Sequence, residues 1–142
     1  MPQHLSIFVE NKPGKLERIT AVLAEAGINI RAVSMADAGE FGVVRILPDD
    51  PDKGLAALKA AHFTVTKRKV LIALIGDKPG ALHELLVQVA EAKANVQDCY
   101  GFVTEEGKRA AIVIEVEKFP EAEESLRARG VRLMADSGIH SL

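Results

Sequence analysis

The sequence predicts an α+β protein of two tandem ferredoxin-like β-α-β-β-α-β units with antiparallel sheets, residues 1–69 and 70–142. An internal repeat is the first observation behind this. Asn11-Lys12-Pro13-Gly14-Lys15-Leu16 realigns on Asp77-Lys78-Pro79-Gly80-Ala81-Leu82 at an offset of 66 residues. The same offset carries Ala24-Glu25-Ala26 onto Ala90-Glu91-Ala92, and Asn29-Ile30 onto Asn95-Val96. Eight of the twenty positions from 11 to 30 are identical in the second copy, a Pro-Gly among them, so the chain is a duplication. Second, strand-like and helix-like periodicities follow one another in the same order in both halves. Third, no Gly/Ser-rich linker intervenes. Residues 63–75 run nearly straight from the last strand of one half into the first strand of the next.

Taken in order, residues 5–9 and 70–75 are short runs of strand formers, each followed by a turn signal. A helix follows. Leu16, Ile19, Leu23 and Ala26 are spaced i, i+3, i+7, i+10; Leu82, Leu85, Val89 and Ala92 repeat that spacing, and Leu86 widens the stripe. Gly27 stands where a helix C′ glycine belongs, whereas the second copy has Lys93 there, which predicts a different cap. Strands at 30–36 and 41–47 are joined by Asp37-Ala38-Gly39-Glu40, a hairpin signal. Their counterparts at 96–104 and 109–116 are joined around Glu105-Glu106-Gly107. A second helix is predicted over 51–61 with Asp49 or Asp50 as N-cap, and again over 120–129 with Phe119, Ala122 and Leu126 inward. Final strands are expected at 63–68 and 131–134.

Composition narrows the function classes. Eighteen basic against twenty acidic residues give a formal net charge of −2, without a long run of either sign. Aromatics are 4% of the chain, with no Trp and one Tyr, so it has neither the basic stripe nor the stacking platforms of a nucleic-acid binder. The longest unbroken apolar stretch, residues 70–75, is far short of a membrane span. Met1-Pro2-Gln3-His4 leads straight into a strand without a secretory signal pattern. A single cysteine, Cys99, excludes an internal disulfide and any CxxC motif. A cytoplasmic protein without membrane or nucleic-acid partners is expected. Halves of this size have modest cores, so association, as a homodimer, is expected too.

The first strand-to-helix connection is the part with chemistry in it. In Asn11-Lys12-Pro13-Gly14 and Asp77-Lys78-Pro79-Gly80, Pro suits a helix opening and Gly allows close approach to the backbone. The amides of Gly14, Lys15 and Leu16 then lack intrahelical partners and lie at the positive end of the helix dipole, which suits a carboxylate. Asn11 and Asp77 are placed to cap the helix or to meet an ammonium group. Asn29 and Asn95, after the same helix, carry an amide and a carbonyl suited to an amino acid's two charged ends. Each is equally a turn residue.

Strand, [Asn/Asp]-Lys-Pro-Gly-x-Leu, then an amphipathic helix ending in Ala-x-x-Asn-[Ile/Val] resembles the ACT domain of amino-acid-sensing enzymes, twice over. The resemblance implies regulatory modules that pair side by side through their second strands, with an effector amino acid between them. Carried over by position, the contacts are Asn11, Pro13, Gly14, Lys15, Leu16, Asn29 and Ile30, and Asp77, Pro79, Gly80, Ala81, Leu82, Asn95 and Val96. Lys93-Ala94 in place of Gly27-Ile28, and a longer second hairpin, set the two sites apart.

Catalytic machinery is absent from the sequence. His4, His62, His83 and His140 are scattered, outside any HxH or HExxH motif. Cys99 has no His at motif spacing, and Glu121, Glu123 and Glu124 read as an exposed helix face. No cofactor, metal or catalytic residue is expected. Three functions stand: a free-standing amino-acid sensor; a regulatory subunit acting in trans on a biosynthetic enzyme, resembling the acetohydroxyacid synthase small subunit; and an enzyme on a ferredoxin-like scaffold. The duplicated turn favours the first. Strands 70–75, 110–114 and 41–47 are apolar at both parities, so the sheet face away from the helices is expected to be buried.

Overall fold

The computed structural model describes residues 2–135 and 138, arranged as two compact units. One is Gln3–Arg68; the other begins at Lys69 and takes in Pro2. The first contains β1 (Gln3–Glu10), α1 (Lys15–Glu25), β2 (Ile30–Ala38), β3 (Phe41–Pro48), α2 (Pro51–Ala60) and β4 (Thr64–Lys69). The second contains β5 (Leu71–Gly76), α3 (Ala81–Glu91), β6 (Val96–Glu105), β7 (Arg109–Val116) and α4 (Phe119–Ala128). Both are ferredoxin-like α+β units.

In the first unit the sheet order is β2-β3-β1-β4, with β3 antiparallel to both neighbours. Alternate β1 residues Leu5, Ile7 and Val9 meet Ile19 and Leu23 of α1 and Leu58 of α2 in one core. Gly54 lies against that core, where a Cβ would come within 2.9 Å of Leu5 Cδ1. Asp50, the second of the two cap candidates, accepts the Lys53 amide at 3.1 Å. The second unit packs Leu71, Ala73, Ile112 and Ile114 against Leu85 and Val89 of α3 and Phe119, Ala122 and Leu126 of α4.

Several expectations are corrected here. Leu16, Leu82 and Leu86 belong to the helical stripes by spacing but are 37%, 43% and 37% exposed. Leu16 and Leu82 lie in the opening turns of α1 and α3, whose buried contact begins at Ile19 and, across the chain from Leu82, at Ala81 and Leu85. The strand expected at 131–134 is reduced to one antiparallel bridge, Ala73 to Leu133. Arg132 and Met134 still bond to the edge of β5, at 2.9 and 2.8 Å. The Gly138 amide then donates to the Ala135 carbonyl, which ends the extended run, so this sheet has three strands, β5-β7-β6.

The helix caps do not differ as Lys93 suggested. After α1, the Gly27 amide bonds Ala24 and the Ile28 amide bonds Leu23, both at 3.0 Å; after α3, Lys93 bonds Ala90 and Ala94 bonds Val89. These are one and the same Schellman closure. Lys93 adopts it at φ 57, taking the left-handed strain that Gly27 (φ 74) avoids. On the sheet face away from the helices, Ile72, Ala111 and Val113 of the second unit and His4 and Leu47 of the first are fully buried, whereas Phe8 and Phe41 remain 48% and 40% exposed.

Candidate functional site

Each repeat turn is built the same way. Gly14 and Gly80 are the N-caps of α1 and α3, at φ 88 and 86, and no side chain caps either helix. A Cβ at either glycine would meet nothing within 4 Å. Glycine is therefore required by backbone conformation, and the turn itself is uncrowded. Pro13 and Pro79 lie one residue before the cap, outside the helix. Of the amides expected to be unpartnered, Lys15 turns back to the Lys12 carbonyl at 3.3 Å and Ala81 to Lys78 at 3.2 Å. Leu16 and Leu82, the second residues of the two helices, are themselves exposed, and no side chain caps the amides there.

Asn11 and Asp77 cap nothing. They precede the N-cap by three residues and reach instead to the hairpin that follows. Asn11 Nδ2 donates to Asp37 Oδ1 at 2.9 Å, and its amide bonds the Glu40 carbonyl. Asp77 Oδ2 accepts the Gly107 amide at 2.8 Å, and its own amide bonds Lys108. The two tethers use different chemistry for one purpose: they hold the β2–β3 and β6–β7 hairpins beside the Pro-Gly turns. Polarity at these positions was visible in sequence; the partner was not, because it lies some 26 to 30 residues further on.

Asn29 and Asn95 lie at the other end of α1 and α3. Asn29 and Asp49 exchange two bonds, Asn29 amide to Asp49 Oδ1 at 3.1 Å and Asp49 amide to the Asn29 carbonyl at 3.0 Å. The Asn95 carbonyl accepts the Glu117 amide at 3.2 Å. Both asparagines are exposed. Ile30 is half-buried against the first core, and Val96 is 38% exposed. The structure thus gathers residues 11 and 13–16 at one end of a unit and residues 29–30 at the other. The second unit repeats this with 77, 79–82 and 95–96.

Charge around the first turn is local. Lys12 hydrogen-bonds Glu10 at 2.8 Å and holds its carboxyl below the usual range, with the Lys12 and Lys15 charges adding to this. The same bond raises Lys12. Burial, then the Asp98 charge, pushes the Cys99 thiol up, away from the thiolate form a nucleophile needs. His62 and His83 are exposed, His4 is buried, and His140 lies outside the described residues. Among the described residues no group of three His, Cys, Asp or Glu could hold a metal ion. None of their helices is long and apolar enough to cross a membrane.

A family model described as an ACT domain pair matches residues 1–142. No curated protein matches the chain. Among solved structures, a protein of Bacteroides thetaiotaomicron shares 34% identity at a TM-score of 0.90, covering 99% of this chain and 96% of that one. The regulatory subunit of aspartate kinase from Thermus thermophilus, in its ligand-free form, shares the fold at a TM-score of 0.69 and 18% identity, covering 91% of each chain. That from Thermus flavus gives 0.62 and 19%, covering 90% of this chain and 91% of the other.

Proposed function

The chain belongs to the family of ACT domain pairs, and on that premise we propose that it is a non-catalytic regulatory protein that binds a free L-amino acid between paired units. The separation of the two repeated groups along one helix carries this reading. Eleven residues of α1 stand between Gly14 and the Ala26 cap, about 16 Å. An amino acid cannot span that distance, so a site using both groups needs a second unit, which this reading takes from another copy of the chain. β2 and β6 are the edge strands through which one would add. Antiparallel pairing of two such edges inverts one unit against the other, and sets the Pro-Gly turn of one beside the asparagine of its partner. The exposed Val33 and Met35 on β2, and Val103 on β6, favour covered edges. In this arrangement the helix-opening amides take the carboxylate, and Asn29 or Asn95 reads the ammonium end.

A thermal-shift screen over the free amino acids identifies the ligand, since 100 times its Kd adds about 2.7 kcal/mol of stability. Calorimetry with that amino acid and its methyl ester then tests the carboxylate contact. The ester should bind about tenfold more weakly or worse, having lost charge-assisted hydrogen bonds. Equal binding rules the helix-terminus contact out. The alternative is a regulatory subunit acting in trans on an amino-acid biosynthetic enzyme, the role named for the two Thermus chains of this fold. Co-purification with a larger enzyme distinguishes it from a free-standing sensor in the cytoplasm.

A further inference from the structure

We propose that the first unit carries a second cleft, on the β4 side of its Pro-Gly turn, that binds a small anion bearing a flat ring. The cleft, about 600 Å³, opens between the start of α1 and the passage from α2 into β4. That volume is within the range of small-molecule sites. Three of the chain's five phenylalanines line it: Phe8, Phe41 and Phe63. Phe8 and Phe41 stack with centroids 4.9 Å apart and planes 19° from parallel, yet both keep nearly half their surface in solvent. A stacked pair left open offers a ready face to another ring.

The polar wall is basic. Lys15, Arg18 and His62 line the cleft, and neither Lys15 nor Arg18 has an ion pair among the described residues. Its one carboxylate, Glu10, is held by Lys12 at 2.8 Å. An amino acid's ammonium group would therefore find no unpaired acceptor charge here. A ring-bearing carboxylate without an amine, or a nucleoside phosphate, meets the same two features. Pro13, Gly14 and Lys15 of the repeat turn also line the cleft, whereas Asn11, Leu16, Asn29 and Ile30 do not, so the cleft shares the turn with the amino-acid site but goes beyond that reading in its aromatic and basic walls.

The duplication supplies an internal comparison. The equivalent cleft of the second unit is smaller, about 430 Å³. Leu74 stands at the place of Phe8, Val131 at that of Phe63, Ala81 at that of Lys15, Glu84 at that of Arg18 and Gly130 at that of His62. Arg129 is occupied by Glu91 at 2.8 Å and Gln88 at 3.4 Å, and Glu84 offsets one of the two remaining cations, Lys78 and Arg132. The fold forms the same turn and helix closure without rings and with less surplus positive charge. The aromatic and basic groups of the first cleft are thus not needed for folding.

The test uses the full chain and four probes: 5′-AMP and phenylpyruvate as ring-bearing anions, adenosine as the uncharged ring, and L-phenylalanine as the zwitterion. Calorimetry should show at least one anion binding saturably at a single site, about tenfold or more tighter than its uncharged or zwitterionic counterpart. The double variant Arg18→Glu, His62→Gly installs the second unit's residues and should lose that binding. It should also melt no lower than the parent. Glutamate suits the first turns of a helix, and glycine relieves the left-handed backbone of His62 (φ 66). Binding of the ester-sensitive amino acid should survive in this variant. No saturable binding by either anion, equal binding by the counterparts, or undiminished binding in a folded variant each overturns the second cleft.

Discussion

Lys93 and His62 each follow a helix in the left-handed conformation, at φ 57 and 66, where Gly27 and Gly130 stand after the other two helices. Among the described residues, α1 to α4 all close with the same pair of bonds, from the C′ amide to C2 and from the C″ amide to C3. The closure is therefore a demand of the fold, which a non-glycine residue meets at the cost of backbone strain. Lys93→Gly should raise stability by about 1 kcal/mol, read as a higher urea midpoint at unchanged slope. A lowered midpoint would mean that the Lys93 side chain makes a stabilising contact that outweighs the strain. Asn11 and Asp77 teach the complementary lesson. One aligned position carries an amide in one copy and a carboxylate in the other, and both end on a hairpin.

At the level of elements, the tethers couple the first turn of each unit to its hairpin, and they position the turn without enclosing it. Asp77→Ala removes the acceptor of the Gly107 amide, an exposed bond with a net worth of about 1 kcal/mol. Amide exchange at Gly107 should accelerate roughly fivefold, while exchange in the first unit's hairpin stays unchanged. Unaltered exchange at Gly107 would show that the Gly107–Lys108 turn holds its own shape without the tether. Helix burial is narrower than spacing suggested. Ile19 and Leu23 in α1, and Ala81, Leu85 and Val89 in α3, are the buried positions. The outer leucines of both first turns stay open on the side where a ligand or a second copy would come.

For the whole molecule, the edges matter most. β2 and β6 leave their outer hydrogen-bonding groups unpaired within their sheets and carry exposed Val33, Met35, Val96 and Val103. An open apolar edge invites strand pairing, and lysines placed on it oppose that pairing. The chain should sediment as a dimer or larger at low micromolar concentration, and Val33→Lys with Met35→Lys should shift it toward monomer. A strict monomer at that concentration removes the second copy from the proposed site. Amino-acid binding should weaken in parallel in the lysine variant, because the Pro-Gly turn would lose the asparagine that another copy brings.

The order of elements, the duplication and the family were determined by the sequence alone. Pro-Gly before an amphipathic run, and Gly within a short polar gap between apolar runs, act through local backbone preferences that need no distant partner. The buried double-parity run of β5 and β7 was legible for the same reason: apolar residues on both faces leave no face for water. Only the tertiary structure decided the rest. It set the Pro-Gly turn and Asn29 at opposite ends of one unit, because a helix between them fixes a length that aligned motifs do not convey. It also cut the last strand to a single bridge, where Val131-Arg132-Leu133-Met134 alternates well enough but the chain stops running along β5 after Met134. Phe8, Phe41, Phe63, Arg18 and His62 come from four separate stretches of chain, and only the packing of β1, β3, α1 and β4 brings them to one cleft. Local chemistry is written residue by residue, whereas a site assembled from distant segments exists only once the chain has folded.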